Sequence, residues 1–260
     1  MGCDIHGLCE VKENGVWKVN TKKVFKNSYY LSDEELAERR KDRPEYERSD
    51  WQEIEFEEHP TDARSYDWFA ILADVRNGRG FAGVRTGEGF DVIAEPRGVP
   101  KDATKKWKKE VKNWGCDMHS QSYLSVEDFD NFDWSQKTSK WGTIQLNQYK
   151  ELRGTGKSPE DWSGSVFGGK TITISMDEAN DILDGKTVTI EEDNYFGKLR
   201  GEEPKIHLVN LESDYQIYVS YEWEILYSEW FDYKIKAVVE PLRKLKEEYE
   251  DVRYVFGFDN

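Results

Sequence analysis

The spacing of apolar and polar residues along the chain predicts a mixture of strands and helices. Apolar positions in Cys3–Val11 and in Val16–Val19 flank an Asn14-Gly15 turn, which is the pattern of a β-hairpin. Residues 65–76 instead repeat their apolar side chains at helical spacing, and Asn77-Gly78 marks the end of that helix. The N-terminal half therefore contains both the alternating pattern of strands and the helical pattern.

The rest of the chain continues the two patterns. Further strands are predicted at 171–175, 186–190, 215–227 and 252–258. Further helices are predicted at 33–41, opened by a capping box at Ser32, at 102–113, capped by Asp102, and in a short segment that Ser125-Val126-Glu127-Asp128 opens. Two more are predicted at 176–183 and at 229–249, the second with a kink at Pro241. Strands at both ends with helices between them predict an α+β fold, with a mixed or antiparallel central sheet, flanking helices and long loop insertions. We expect one domain over 1–260, with excursions at 42–65 and 135–170.

Composition narrows the functions that the chain can perform. With 37 basic and 52 acidic residues the net charge is -15, so binding to duplex nucleic acid is disfavoured, because it requires many neutralised phosphates. A small phosphorylated ligand needs only a local arginine cluster, and an acidic surface suits docking onto a basic protein. No apolar stretch approaches the roughly 20 residues that span a bilayer. Three cysteines in polar contexts fit a reducing cytoplasm.

Two segments match at four of five positions, Gly2-Cys3-Asp4-Ile5-His6 and Gly115-Cys116-Asp117-Met118-His119. Residues two apart in an extended segment share a face, so we expect Asp4 to lie beside His6 and Asp117 beside His119. If the segments meet, two carboxylates and two imidazoles form a ligand set for Mn, Zn or Fe, which would activate a water.

Other roles for these segments stay open at this stage. Asp-x-His pairs also occur as hydrogen-bonded structural elements, because buried Asp and His side chains must find partners. Glu10 extends the N-terminal face as a further ligand or a base, and His119 is a second candidate for acid–base chemistry. Ser120 either binds a ligand or begins a turn. We interpret Cys3, Cys9 and Cys116 as structural.

A second candidate site is the loop over residues 77–100, which is rich in glycine and arginine. Its predicted ligand-binding residues are Arg76, Asn77, Arg79, Arg85 and Arg97, and Glu88 is a second candidate base. Arginine suits bidentate recognition of phosphate, and glycine lets the backbone approach an anion. The alternative is a solvated loop whose arginines pair with acids. Gly78-x-Gly80-x-x-Gly83 resembles a dinucleotide fingerprint but follows a helix, so we discount it.

Several of these blocks resemble a family of bacteriophage hypothetical proteins. The shared blocks are the Met1-Gly2-Cys3-Asp4-Ile5-His6 start, Tyr66 to Val75 with Arg76-Asn77-Gly78-Arg79-Gly80-Phe81-Ala82-Gly83, Glu95-Pro96-Arg97-Gly98, Asp117 to Ser120, and Val252 to Asn260. They cover about half the chain. Many relatives carry a second His-Ser where this chain has Gln121-Ser122. The resemblance implies a phage origin, a host cytoplasm and a role in modifying host metabolism or countering host defence.

Two functional hypotheses follow. The first is a metal-dependent hydrolase of a phosphoester in a nucleotide or nucleotide-like signal, with Asp4, His6, Asp117 and His119 on the metal. The second is a non-catalytic protein that sequesters such a signal or inhibits a host protein. Recovering the bound ligand intact or altered distinguishes them.

Overall fold

The fold is α+β, as predicted. The computed structural model describes residues 2–27, 30–48, 51–56, 65–78, 89–164, 166, 169–191, 200 and 203–259. The chain divides into two compact units: unit 1 comprises Met1–Gln136 with Leu226–Asn260, and unit 2 comprises Lys137–Ile225. The expectation that 1–260 forms a single domain stays a prediction.

Unit 1 is built on a four-stranded antiparallel sheet of β1 (Ile5–Glu13), β2 (Val16–Val19), β5 (His119–Ser125) and β11 (Asp251–Phe258). The strand order is β2-β1-β11-β5. The predicted hairpin is confirmed, with Asn14 and Gly15 both at positive φ in the β1–β2 turn. The C-terminal strand thus lies in the centre, between the N-terminal strand and a strand from the middle of the chain.

The two faces of this sheet carry different cores. Tyr254, Phe256 and Phe258 of β11 are fully buried on one face, in a large cluster that includes Cys3, Ile5 and the apolar helices. Val255 lies on the other face, where it packs with Leu8, Trp107 and Met118. Alternation along β11 explains this division, because successive strand residues point to opposite sides.

The helices of unit 1 pack around this sheet, and two of them begin at predicted caps. They are α1 (Asp33–Asp42), α2 (Tyr66–Ala73), α3 (Lys105–Trp114), α4 (Val126–Asn131), α7 (Tyr227–Trp230), α8 (Asp232–Lys234), a π-helix (Ile235–Val239) and α9 (Glu240–Lys246), with a small β3 (Phe25–Lys26) and β4 (Glu53–Ile54) pair. Ser32 and Ser125 form capping boxes with Glu35 and Asp128. The predicted cap of α3 was wrong: Thr104 caps it, and Asp102 instead binds Arg253.

Unit 2 has its own three-stranded sheet and its own core. Its elements are β6 (Lys137–Gln145), α5 (Leu146–Leu152), β7 (Thr171–Ile174), α6 (Met176–Leu183), β8 (Val188–Glu191), β9 (Ile206–Val209) and β10 (Gln216–Leu226). The sheet order is β6-β10-β7, with β10 and β7 parallel, and β8 pairs with β9 separately. Strand β6 and helix α5 fall within 135–170, so that stretch is more regular than its composition predicts.

Within the described ranges, none of the helices is both long and apolar enough to cross a membrane.

Candidate functional site

The C-terminal end of β11 brings the two duplicated segments to either side of one strand. His6 of β1 pairs with Gly257, and His119 of β5 pairs with Phe258. Segments more than 100 residues apart in sequence therefore meet across a single strand. A shared site for the two segments requires such a meeting. The residue that joins them is Asp259, which follows β11 directly.

Asp259 is held by hydrogen bonds from the first segment. Its Oδ1 accepts from the amide of Asp4 at 2.7 Å, and its own amide donates to the carbonyl of Asp4 at 3.1 Å. Its Oδ2 lies 3.2 Å from Nε2 of His6. Burial raises the pKa of Asp259, but the hydrogen bonds from Asp4 and His6 and the charges of His6 and His119 outweigh it, so the pKa falls below its ordinary value. The carboxyl is therefore ionised at neutral pH.

His6 is oriented on two sides and stays accessible. Its ring centroid lies 4.2 Å from that of Trp114, and its Nε2 contacts Asp259. The side chain is 27% exposed, against 18% for Asp259. Among the described residues, Nδ1 of His6 has no hydrogen-bond partner. Because the ionised carboxylate only accepts, it favours a proton on Nε2 and leaves Nδ1 as the free acceptor.

His119 lies on the opposite face of the sheet from His6. Directly paired residues point to the same side of a sheet. His6 therefore lies on the face of its partner Gly257, and His119 lies on the face of its partner Phe258. The register shifts between Phe256 and Phe258, and Ser120 has a φ of 48°, in the left-handed region. This β-bulge turns His119 towards the large core, where its ring lies 6.1 Å from that of Phe258.

The polar atoms of His119 are enclosed. Its Nδ1 lies 3.1 Å from Oγ of Ser120, so Ser120 contacts the imidazole directly. Its Nε2 is buried and has no hydrogen-bond partner within the part of the chain that the structure describes. A buried unpaired ring nitrogen is rare and costs free energy, so it marks a position where a further group would be stabilising.

The four predicted metal ligands are not assembled around one centre. Asp117 is exposed in a 3-10 turn over Gly115–Asp117, so the prediction that it shares a strand face with His119 was wrong. In the described ranges, no three or more His, Cys, Asp or Glu side chains are grouped so that they could hold a metal ion. These residues do not fit a metal centre in this arrangement, and metal binding stays a prediction.

Arg76 reaches the same end of the sheet through Cys3. Burial raises the pKa of the Cys3 thiol, and a hydrogen bond and the charge of Arg76 lower it less. The Arg76 guanidinium also lies 4.9 Å from the ring centroid of Tyr66. The charges of Asp259 and Asp4 act on the same thiol in the opposite direction and raise its pKa.

Glu10 has a structural arrangement. It is fully buried; Oε1 accepts from the amide of Thr104 at 2.8 Å, and Oε2 accepts from Nε of Arg253 at 2.8 Å. Nη2 of Arg253 lies 2.7 Å from Oε2 but outside hydrogen-bonding alignment, so that contact is electrostatic. The Arg253 guanidinium lies 3.8 Å from the Trp17 ring centroid. With both oxygens engaged, Glu10 is left out of the proposed site.

The other predicted ligand-binding residues also have partners. Asn77 accepts from the amide of Phe90 at 2.7 Å and donates to its carbonyl at 2.6 Å, which closes the loop between them. Arg97 forms a bidentate pair with Asp128, at 2.7 and 2.6 Å. Arg79, Arg85 and Glu88 lie outside the described residues.

Sequence reasoning missed Asp259 and Arg253 as partners of the candidate residues. Asp259 is the first acidic residue after the apolar run that ends in Phe258, and that position was its only signal. Arg253 is the one charged residue between Val252 and Phe258. A charge inside an otherwise apolar strand predicts a buried partner, which in this chain is Glu10.

Comparison with protein-family models, with curated protein sequences and with solved structures gives no match for this chain. The residues at the end of β11 are therefore the basis for assigning a function.

Proposed function

We propose that the protein hydrolyses a phosphoester in a nucleotide or nucleotide-like ligand, with His6 as general base and Asp259 as the residue that orients it. The observation that carries the proposal is the 3.2 Å contact between Nε2 of His6 and Oδ2 of Asp259, at a partly exposed position. A carboxylate that holds one ring nitrogen fixes the tautomer and leaves the other nitrogen to accept a proton.

The proton movements follow from this pair. Nδ1 of His6 takes a proton from a water, and the water oxygen forms a bond to phosphorus. The bond to the leaving oxygen breaks, and that oxygen keeps the electron pair and takes a proton from solvent. The imidazolium of His6, stabilised by the Asp259 carboxylate, then returns its proton to solvent. No step runs through a metal ion.

Arg76 supports phosphate as the substrate group. Its guanidinium lies near Cys3 at the same end of the sheet, and arginine binds phosphate oxygens with bidentate geometry. In a chain with a net charge of -15, a local cation is required to hold an anionic substrate. His119 lies on the other face of β11, where its buried Nε2 has no partner among the described residues, and it takes no part in these proton transfers.

The test is product analysis after incubating the full chain with a panel of cyclic and linear nucleotides. We expect turnover of at least one nucleotide, and a loss of about 100-fold or more in His6→Ala and Asp259→Asn. His207→Ala is the matched control, because His207 lies in unit 2 and contacts Tyr215 at 2.9 Å. Nucleotide that is bound and recovered intact would refute hydrolysis and support the sequestering alternative.

The family resemblance supports a setting for this reaction. It suggests a phage protein in the cytoplasm of the host cell, where removal of a nucleotide signal would counter host defence.

A further inference from the structure

Unit 2 contains a polar pocket that the proposed hydrolysis does not use. The pocket has a volume of about 390 Å³ and lies between the end of β6, the start of α5 and residues 160–163. The residues that matter for its chemistry are Gln145, Asn147, Gln148, Glu160, Asp161 and Trp162.

The Trp162 indole is seated against strand β6. A backbone bridge holds its segment, since the Thr143 amide donates to the Ser163 carbonyl at 2.7 Å and the reverse bond is 3.0 Å. A Cβ atom on Gly142 would lie 2.7 Å from the indole, so only glycine admits the ring there. Nζ of Lys140 lies 4.4 Å from the ring centroid.

This packing leaves an aromatic surface open to a ligand. Residues 140 and 142 lie on one face of β6, so the indole lies across that face. Trp162 nevertheless remains 45% exposed. A large, rigid aromatic side chain that is fixed by neighbours and still exposed is suited to stacking against a flat ligand.

The polar groups of the pocket are acidic and neutral. Among the described residues, neither Glu160 nor Asp161 has a hydrogen-bond or ion-pair partner. The described lining includes no Lys, Arg or His. Unpaired carboxylates repel phosphate and carboxylate ligands, so this lining disfavours anionic compounds. The nearby cation, Lys140, lies against the indole, 4.4 Å from its ring centroid. Carboxylates and side-chain amides present several acceptors and donors in planar pairs.

We propose that this pocket binds a neutral carbohydrate, whose apolar ring face stacks on Trp162 while its hydroxyl groups bond to Glu160, Asp161 and the amides. A sugar has both an apolar face and many hydroxyl groups, so it uses the indole and the amides together. A simple organic cation would use the carboxylates and the indole but would leave the three amide side chains of Gln145, Asn147 and Gln148 without a role.

The test is binding of the full chain to a neutral-glycan array, followed by calorimetric titration with the best-bound neutral sugar, its 6-phosphate, adenosine and tetramethylammonium. We expect saturable binding of a neutral sugar and weaker binding of its phosphate. Trp162→Ala should weaken binding at least about tenfold, which corresponds to about 1.4 kcal/mol. Asp161→Asn, at an exposed position, should also weaken it.

Trp51→Ala is the matched control. Trp51 lies in unit 1, is 60% exposed and has Nζ of Lys23 at 4.0 Å from its ring centroid, so it resembles Trp162 without the pocket. Its replacement should leave sugar binding unchanged. The proposal is overturned by an array without a bound neutral glycan, by undiminished binding in Trp162→Ala, or by binding of adenosine or tetramethylammonium in preference to the sugar.

Discussion

Replacement of Glu10 with glutamine removes the negative charge from a buried ion pair and keeps the side-chain volume. The fully buried Glu10 accepts from Nε of Arg253 and from the amide of Thr104, both at 2.8 Å. Loss of one partner of such a pair costs about 3–5 kcal/mol, because the remaining charge stays buried. Arg253 keeps a second contact, 2.9 Å from its Nη1 to Oδ1 of the exposed Asp102. We therefore expect the lower end, about 3 kcal/mol.

Urea and thermal unfolding followed by circular dichroism measure this loss. A decrease of about 3 kcal/mol lowers the melting temperature by roughly 6–12 °C in a protein of this size. Glu13→Gln is the matched control, since Glu13 lies on the same strand in an exposed pair with Lys18 and should change little. Glu10→Gln/Arg253→Met should recover part of the loss. A Glu10→Gln protein with wild-type stability and no activity would refute the structural assignment and restore Glu10 as a base.

Three further changes test other parts of the structure. The lowered pKa of Asp259 means that the ionised carboxylate stabilises the folded protein above the unfolded-state pKa, which is near 4. This stabilisation is lost as the pH falls through the lower folded-state pKa. Asp259→Asn should therefore lower the melting temperature at pH 7 and not at pH 2, and an equal decrease at both would contradict this. Ser120 has a φ of 48°, so the protein should tolerate Ser120→Gly. Ser120→Ala keeps the backbone strain and loses the contact with His119, so the free energy of unfolding should fall by about 1 kcal/mol. A Ser120→Gly protein that is less stable than Ser120→Ala would argue against the bulge. Gly142→Ala places a Cβ atom 2.7 Å from Trp162 and should displace the indole. Acrylamide quenching of tryptophan fluorescence should then increase, measured against Trp162→Phe because the chain has 10 tryptophans. An unchanged quenching constant would show that the indole is seated elsewhere.

Local signals predicted the elements well because they act within a few residues. The Asn14-Gly15 turn and the capping boxes at Ser32 and Ser125 determine where a strand turns and where a helix begins, and the structure has them at those positions. Strand β6 was missed because its Lys, Ser, Thr and Gly residues resemble a loop, and only Gly142, Thr143 and Ile144 are buried. The strand is stabilised by its packing within unit 2, although the intrinsic strand propensity of its residues is low.

The duplicated segments were predicted to supply four converging ligands, and the described residues do not group in that way. The two duplicated segments do meet across β11. Convergence of their Asp and His side chains on one metal ion would require both segments to be extended. Gly115–Asp117 forms a 3-10 turn and Ser120 forms a bulge. The alternation of side chains along a strand therefore does not extend from His119 to Asp117, and the two do not share a face. Asp259 lies 253 residues from His6, and a contact at that separation leaves no trace in local periodicity.

The tautomer of His6 tests the central claim most directly. Long-range ¹⁵N–¹H NMR correlation of histidine-labelled protein at neutral pH distinguishes a proton on Nε2 from one on Nδ1, and the chain has only 4 histidines to assign. The 3.2 Å contact with the Asp259 carboxylate predicts that neutral His6 carries its proton on Nε2 and has an unprotonated Nδ1. A neutral His6 protonated on Nδ1 would have no free base at that position and would contradict the account.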